Sequence, residues 1–181
     1  MPKPAAGKAT DRQQSKLSDS ISKDNTATSD VVEHLQQQVA NAFVLYANYK
    51  HYHWQTFGPL FRDLHLLFDE FAVAVLATID DFAERLRMIG QDPVFRPDEI
   101  ENTATVQVSR DAGTMREMIA EADANLLTVI REMRVAARVA DEHDDPGTVD
   151  LFSRHVQLHE KHEWWLRDIL ERNDGLTTEG R

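Results

Sequence analysis

One stretch constrains this chain more than any other: His53 to Glu84, HWQTFGPLFRDLHLLFDEFAVAVLATIDDFAE. Five of its metal-binding side chains, His53, His65, Asp69, Asp80 and Glu84, stand in a mostly apolar setting with Arg62, Asp63, Glu70 and Asp81 scattered among them. From Leu60 onward it reads as one continuous helix. With His65 at zero and a step of about 100° per residue, Asp69 falls at about 40°, Asp80 at about 60° and Glu84 at about 100°. Four ligand-type residues therefore project from one arc. Acids and a histidine aligned on an apolar helix are costly to bury without compensation, and a cation compensates them. The competing reading is a solvated helix face with ordinary charges.

The axial spacing separates the arc into two halves. Asp69 and Asp80 are eleven residues apart, so roughly 16 Å along the axis. Ligands of one metal lie within about 5 Å of each other, because the bonds are near 2 Å. One copy of the helix cannot close one site with both pairs. Two antiparallel copies can: His65 and Asp69 of one meet Asp80 and Glu84 of the other, with His53 supplied from the preceding helix. A two-fold axis makes two such sites per dimer.

His53-Trp54, Gly58, Phe61, Leu64-His65, Asp69 and the run D-x-x-A-E-R from Asp80 to Arg85 resemble the Dps mini-ferritins, the DNA-binding proteins from starved cells. The resemblance implies an all-α, ferritin-like four-helix bundle with a long crossover carrying a short helix, assembled as a hollow dodecamer. It implies that His53, His65, Asp69, Asp80 and Glu84 form an intersubunit ferroxidase centre. Such a centre oxidises Fe(II) with hydrogen peroxide or dioxygen and passes Fe(III) into a stored mineral. Carboxylates favour the ferric state and imidazole retains the ferrous one. Trp54 beside the site is read either as an orienting or electron-donating group or as core.

The chain has 181 residues, enough for one domain with a full core. It has no cysteine, which rules out disulfides and thiolate sites and suits a cytoplasmic location. No apolar run approaches the roughly 18 residues of a membrane span, and no signal-peptide core is visible. The net charge of −11 argues against a generally nucleic-acid-binding surface and for one that attracts cations.

Residues 1–29 read as a flexible, mildly basic tail. Their first 23 residues carry five basic and two acidic side chains, and almost no large apolar ones to build a core with. Such a tail either sheathes DNA in a nucleoid role with little iron chemistry or is simply a soluble arm. The helical domain is expected over 30–172, followed by a short C-terminal tail over 173–181. The first helix is expected from Val31 to Thr56, with Asp30 as N-cap and Glu33 completing a capping box. The second ends at Ile89 before Gly90. Pro97 to Asn102 make a short helix in the crossover. The third helix runs from Asp111 to Val139 with its methionines as core filler, and the fourth from Gly147 to Arg172.

Asp141 to Asp150, DEHDDPGTVD, crowds five acids and a histidine into ten residues. Pro146 suits the first position of the fourth helix, with Asp145 as N-cap. The resemblance places an acidic inlet pore near this junction, with Asp145 and Asp150 as its candidates. A capped, solvated loop is the plainer alternative.

On the fourth helix His155, His159 and His162 share the buried stripe. His162 reads as structural. His155 and His159 are candidates for an additional ligand or for a separate Zn(II) site, as is His51 to a lesser degree, and a zinc-occupied cage is a third functional reading. H-E-K-H at 159–162 is one residue short of H-E-x-x-H, and no Glu-x-x-His occurs anywhere. Intrasubunit di-iron bundles need the latter.

Overall fold

The computed structural model describes residues 28–109 and 113–171. These form five helices: α1 Ser29–Gln55, α2 Phe61–Met88, α3 Pro97–Thr103, α4 Met115–Glu142 and α5 Pro146–Leu170. The all-helical expectation holds, and α3 sits in the long crossover as the spacing predicts. The proposed DNA-sheathing tail lies outside the described residues, except for its last two. The expected C-terminal tail lies outside them too.

Two helix starts differ from expectation. α1 begins at Ser29, with Thr28 as N-cap in extended conformation. Asp30 is drawn into the first turn, where its charge faces the positive helix end and Ser29 Oγ donates to it at 3.0 Å. The Asp30–Glu33 capping box is therefore absent. α4 begins at Met115 instead of Asp111, because Thr114 and Glu117 supply a complete capping box. Glu117 N donates to Thr114 Oγ1 at 3.2 Å, and Thr114 N donates back to Glu117 Oε2 at 2.8 Å.

The other boundaries follow turn chemistry. Gly90, at φ +83°, closes α2 in a left-handed cap, with Gln91 N donating to Leu86 O at 2.9 Å. Pro146 opens α5, and Asp145 Oδ1 accepts from Thr148 N at 3.0 Å, as expected for the N-cap.

α1 and α2 form one antiparallel hairpin and α4 and α5 the other, and the pairs join through α1–α4 and α2–α5 contacts. Leu35, Leu45, Tyr49, Tyr52, Phe68, Phe71, Phe82, Leu86, Ile119, Leu126, Met133 and Phe152 fill the interior with no exposure above two percent. Burial of each such side chain stabilises the fold by about 1.5–3 kcal/mol before entropy is counted. Met118 and Met133 are core filler, as expected. No helix among the described residues is long and apolar enough to cross a membrane.

Three buried asparagines fasten the crossover. Asn41 Nδ2 donates to Thr105 Oγ1 at 3.0 Å, and Thr105 N donates to Asn41 Oδ1 at 2.8 Å. Asn48 bonds Gln107 O and Ser109 N at 2.7 and 2.9 Å. Asn125 from α4 bonds both Gln107 N and Gln107 O, at 2.9 and 3.0 Å. A side-chain amide has donors and an acceptor together, so it satisfies an irregular backbone that lacks ladder partners.

Candidate metal centre

The tight turn through Gly58 lays the end of α1 against the start of α2, and this brings His53 and His65 together. Their rings stack with centroids 3.6 Å apart and planes 20° from parallel. His53 Nδ1 lies 2.7 Å from His65 O, and His65 Nδ1 lies 2.9 Å from His53 O. A carbonyl oxygen only accepts, so each Nδ1 carries the hydrogen. In the neutral ring the lone pair then belongs to Nε2. Both imidazoles are fixed in the tautomer and orientation that a metal ligand needs, by each other's backbone. Phe61 stacks on the far side of His65 at 5.1 Å.

Asp69 follows His65 by one turn and is half exposed. Lys50, one turn before His53, donates from Nζ to Asp69 Oδ1 at 2.6 Å. This hydrogen bond is the main reason that the Asp69 carboxyl sits below the usual carboxylate range, and His53 and His65 add smaller contributions. Lys50 escapes a search for ligands because an ammonium is not one. Its helical spacing from His53 is the signal that points to it.

Asp80 and Glu84 are exposed farther along α2, away from the histidine pair. Among the described residues no three His, Asp or Glu side chains of one chain converge on a metal-sized space. The arc is apolar and uncovered between its ligands: Leu66 within the first half-site is 49% exposed, and Val73 and Leu76 between the half-sites are 66% and 50% exposed. On the 100° wheel these fall within the ligand arc itself. The arc is also a palindrome. About the midpoint between Ala74 and Val75, His65 mirrors Glu84, Asp69 mirrors Asp80, and Val73 mirrors Leu76. Trp54 and Phe57 are exposed near the hairpin end, so Trp54 is not core within one chain.

The three histidines of α5 face inward. His155 is buried against Phe82, with Nε2 3.1 Å from Asp81 Oδ2. Burial lowers its pKa, partly opposed by Asp81. His159 is buried, and loss of solvation lowers its pKa to about 3. His162 stacks on Phe71 at 4.0 Å and is lowered by burial to about 4. The Nδ1 atoms of His159 and His162 have no hydrogen-bond partner among the described residues. His51 is half-buried beside Tyr52. None of these four belongs to the His53–His65 pair, although His155 reaches the residue next to Asp80.

At the α4–α5 junction, Asp145 is engaged from two sides. Arg85 Nη2 donates to its Oδ1 at 2.6 Å, Arg85 Nε donates to Thr148 Oγ1 at 2.9 Å, and Thr148 Oγ1 donates to Asp145 Oδ2 at 2.6 Å. The arginine of D-x-x-A-E-R therefore anchors the start of α5. Gly147 lets it approach: a Cβ there would meet Arg85 Nη2 at 3.1 Å. Asp150 is exposed and pairs with Arg154 at 3.1 Å. The two candidate inlet residues thus differ, Asp145 being tied into the fold and Asp150 facing solvent.

Comparison with known proteins gives consistent matches. The ferritin-like domain matches residues 32–175. The chain is 34% identical over 142 residues to DNA protection during starvation protein 1 of Deinococcus radiodurans, covering 78% of this chain and 69% of that one. It is 34% identical over 137 residues to the DNA protection during starvation protein of Brevibacillus brevis, covering 76% and 92%. The X-ray structure of Dps from Thermosynechococcus elongatus superposes with a TM-score of 0.79 at 48% identity, over 82% of this chain and 94% of that one.

Proposed function

The chain belongs to the ferritin-like proteins and, within them, to the Dps family, and on that premise we propose that it stores iron and limits oxidative damage by oxidising Fe(II) at sites shared between subunits of a twelve-chain cage. The observation that carries this reading is the locked His53–His65 pair, which opens an arc whose other half is its own mirror image.

Iron is the substrate here. His53 and His65 offer Nε2 and Asp69 offers a carboxylate. The partner subunit's Asp80 and the partner subunit's Glu84 supply the remaining oxygens. The donor set suits the metal in both states, since imidazole holds Fe(II) and carboxylates favour Fe(III). Two Fe(II) give up one electron each to one hydrogen peroxide. With two protons this yields two Fe(III) and two waters, so no hydroxyl radical is released. Dioxygen is the alternative oxidant. Ferric product then passes to the acidic interior for storage.

Lys50 sets the threshold for loading. Its ammonium neutralises Asp69 until a metal replaces it. Lys50→Met is expected to tighten metal binding severalfold at neutral pH, because no cation then competes for that carboxylate. Calorimetric titration of metal-free protein with Zn(II) or anaerobic Fe(II) measures this, and an unchanged or weakened affinity counts against the competition.

The direct test adds Fe(II) to metal-free protein with peroxide or air in parallel, following ferric absorbance, particle mass and retained iron. Rapid oxidation with iron held in a particle of about a dozen chains supports the reading. Oxidation no faster than in buffer, in an intact particle, defeats it.

A further inference from the structure

Along the seam between α2 and α5, one buried imidazole nitrogen is left unsatisfied at a place that solvent can reach. His155 is 6% exposed and packs on Phe82. Its Nε2 lies 3.1 Å from Asp81 Oδ2, yet it has no hydrogen-bond partner among the described residues. The distance suits a hydrogen bond and the direction does not. A buried polar nitrogen without a partner destabilises the fold. The Asp81 side chain is 46% exposed, so the open end of the pair faces water.

Two donors bonded to one ion at about 2.1 Å, and about 90–109° apart around it, lie about 3.0–3.4 Å from each other. The ion then sits about 40° off the line that joins them. A hydrogen bond instead needs its hydrogen close to that line. Asp81 and His155 thus have the separation of two ligands and lack the alignment of a donor with its acceptor. The shared centre does not absorb them. Asp80 and Asp81 are neighbours in sequence, so their side chains leave α2 about 100° apart. Their carboxylates are then roughly 8 Å from each other, beyond the about 5 Å that the ligands of one ion span. Asp80 belongs to the mirrored arc and Asp81 to the seam with α5.

We propose that Asp81 and His155 hold a borderline divalent cation, of the Fe(II) or Zn(II) class, at a site inside one subunit and separate from the shared centre. An imidazole beside a carboxylate selects such ions over Ca(II) and Mg(II), which take oxygen donors. No third His, Asp or Glu joins the pair among the described residues. Water fills the remaining positions, and the ion exchanges readily. Arg154, whose charge opposes a cation, is taken up by Asp150 at 3.1 Å. An ion at Asp81 is one residue from Asp80 and can pass to the shared centre; that role alone rests on the oxidation reading.

Co(II) alone is the probe, and the full chain carrying His53→Ala, His65→Ala, Asp69→Ala, Asp80→Ala and Glu84→Ala is the background, because it lacks the shared centre. Equilibrium dialysis counts the ions that this chain still binds. Adding Asp81→Asn, or separately His155→Gln, is expected to weaken one Co(II) per chain at least tenfold. Asp81 is exposed, so Asp81→Asn leaves the core untouched, and circular dichroism checks the helix content of the buried His155→Gln. X-ray absorption at the cobalt edge of the background chain is expected to show imidazole scattering that Asp81→Asn removes, and it needs no change at His155. A pair that only braces α2 against α5 leaves the count and the spectrum unchanged, which overturns the site. So does an ion lost with Asp81→Asn but kept by a helical His155→Gln, since a surface carboxylate then binds it alone. Iron oxidation plays no part in the count, so the site and the shared centre stand or fall separately.

Discussion

Cages formed from an equal mixture of two inactive chains regain about a quarter of the normal sites. One chain carries His65→Ala and Asp69→Ala, the other Asp80→Ala and Glu84→Ala. Each alone is expected to slow fast Fe(II) oxidation on the order of 100-fold or more, since lesser disturbances around metal ligands already cost 10–100-fold. In a random mixture about half the two-fold pairs are mixed, and each mixed pair holds one site with every ligand and one that keeps only His53. Recovery in the mixture is something that a site built within one chain cannot give. If the mixed cages oxidise iron no faster than either parent, the shared site is wrong. The mirrored arc, the uncovered Val73 and Leu76 and the lack of a convergent cluster within one chain all support the expectation.

Acid is expected to unfold the helical bundle well before carboxylate titration alone would do so. His159 and His162 are buried and lowered to about 3 and about 4. In the unfolded chain they bind protons near pH 6.5. Below that pH the unfolded state therefore holds more protons than the folded one, and stability falls as the pH falls. Their contribution is whole above about pH 6.5 and is lost progressively toward pH 4 for His162 and pH 3 for His159. At pH 5 the loss is about 2 kcal/mol for each, about 4 kcal/mol together. Denaturant unfolding at pH 7 and pH 5, followed by helix signal, measures it. A His159→Leu/His162→Leu chain should lose much less stability over the same interval. Equal losses in both chains would assign the acid sensitivity to other groups.

Much of the fold was legible because helical periodicity survives in the sequence. Phe68, Phe71, Val75, Ile79, Phe82 and Leu86 recur at helical spacing along α2, and all six are buried. Gly90 and Pro146 marked boundaries because their backbone preferences act locally. The helix starts at Thr28 and Thr114 were missed for the opposite reason. Several polar residues nearby were equally able to cap, and tertiary packing selected among them.

The candidate site divides in the same way. The ligand arc could be read because i, i+4 spacing on one helix fixes relative direction. The reciprocal ring-to-carbonyl bonds of His53 and His65 could not, since they depend on how two helices lie after the turn at Gly58. Lys50, the Arg85–Asp145 pair and the three crossover asparagines were hidden likewise, because their partners are at least 18 residues away in sequence.

Those asparagines have a consequence for how copies of the chain remain separate. A long connection between two helical hairpins is the natural place for neighbours to exchange halves: it straightens, and each hairpin docks on the other molecule's. Here straightening would first strip Asn41, Asn48 and Asn125 of their backbone partners. The connection behaves as part of the interior, and an exchanged dimer gains nothing until those amides are bonded again. A chain whose α2 face is apolar, uncovered and self-mirrored has particular need of such a barrier, for it lets two copies meet as finished units without becoming entangled.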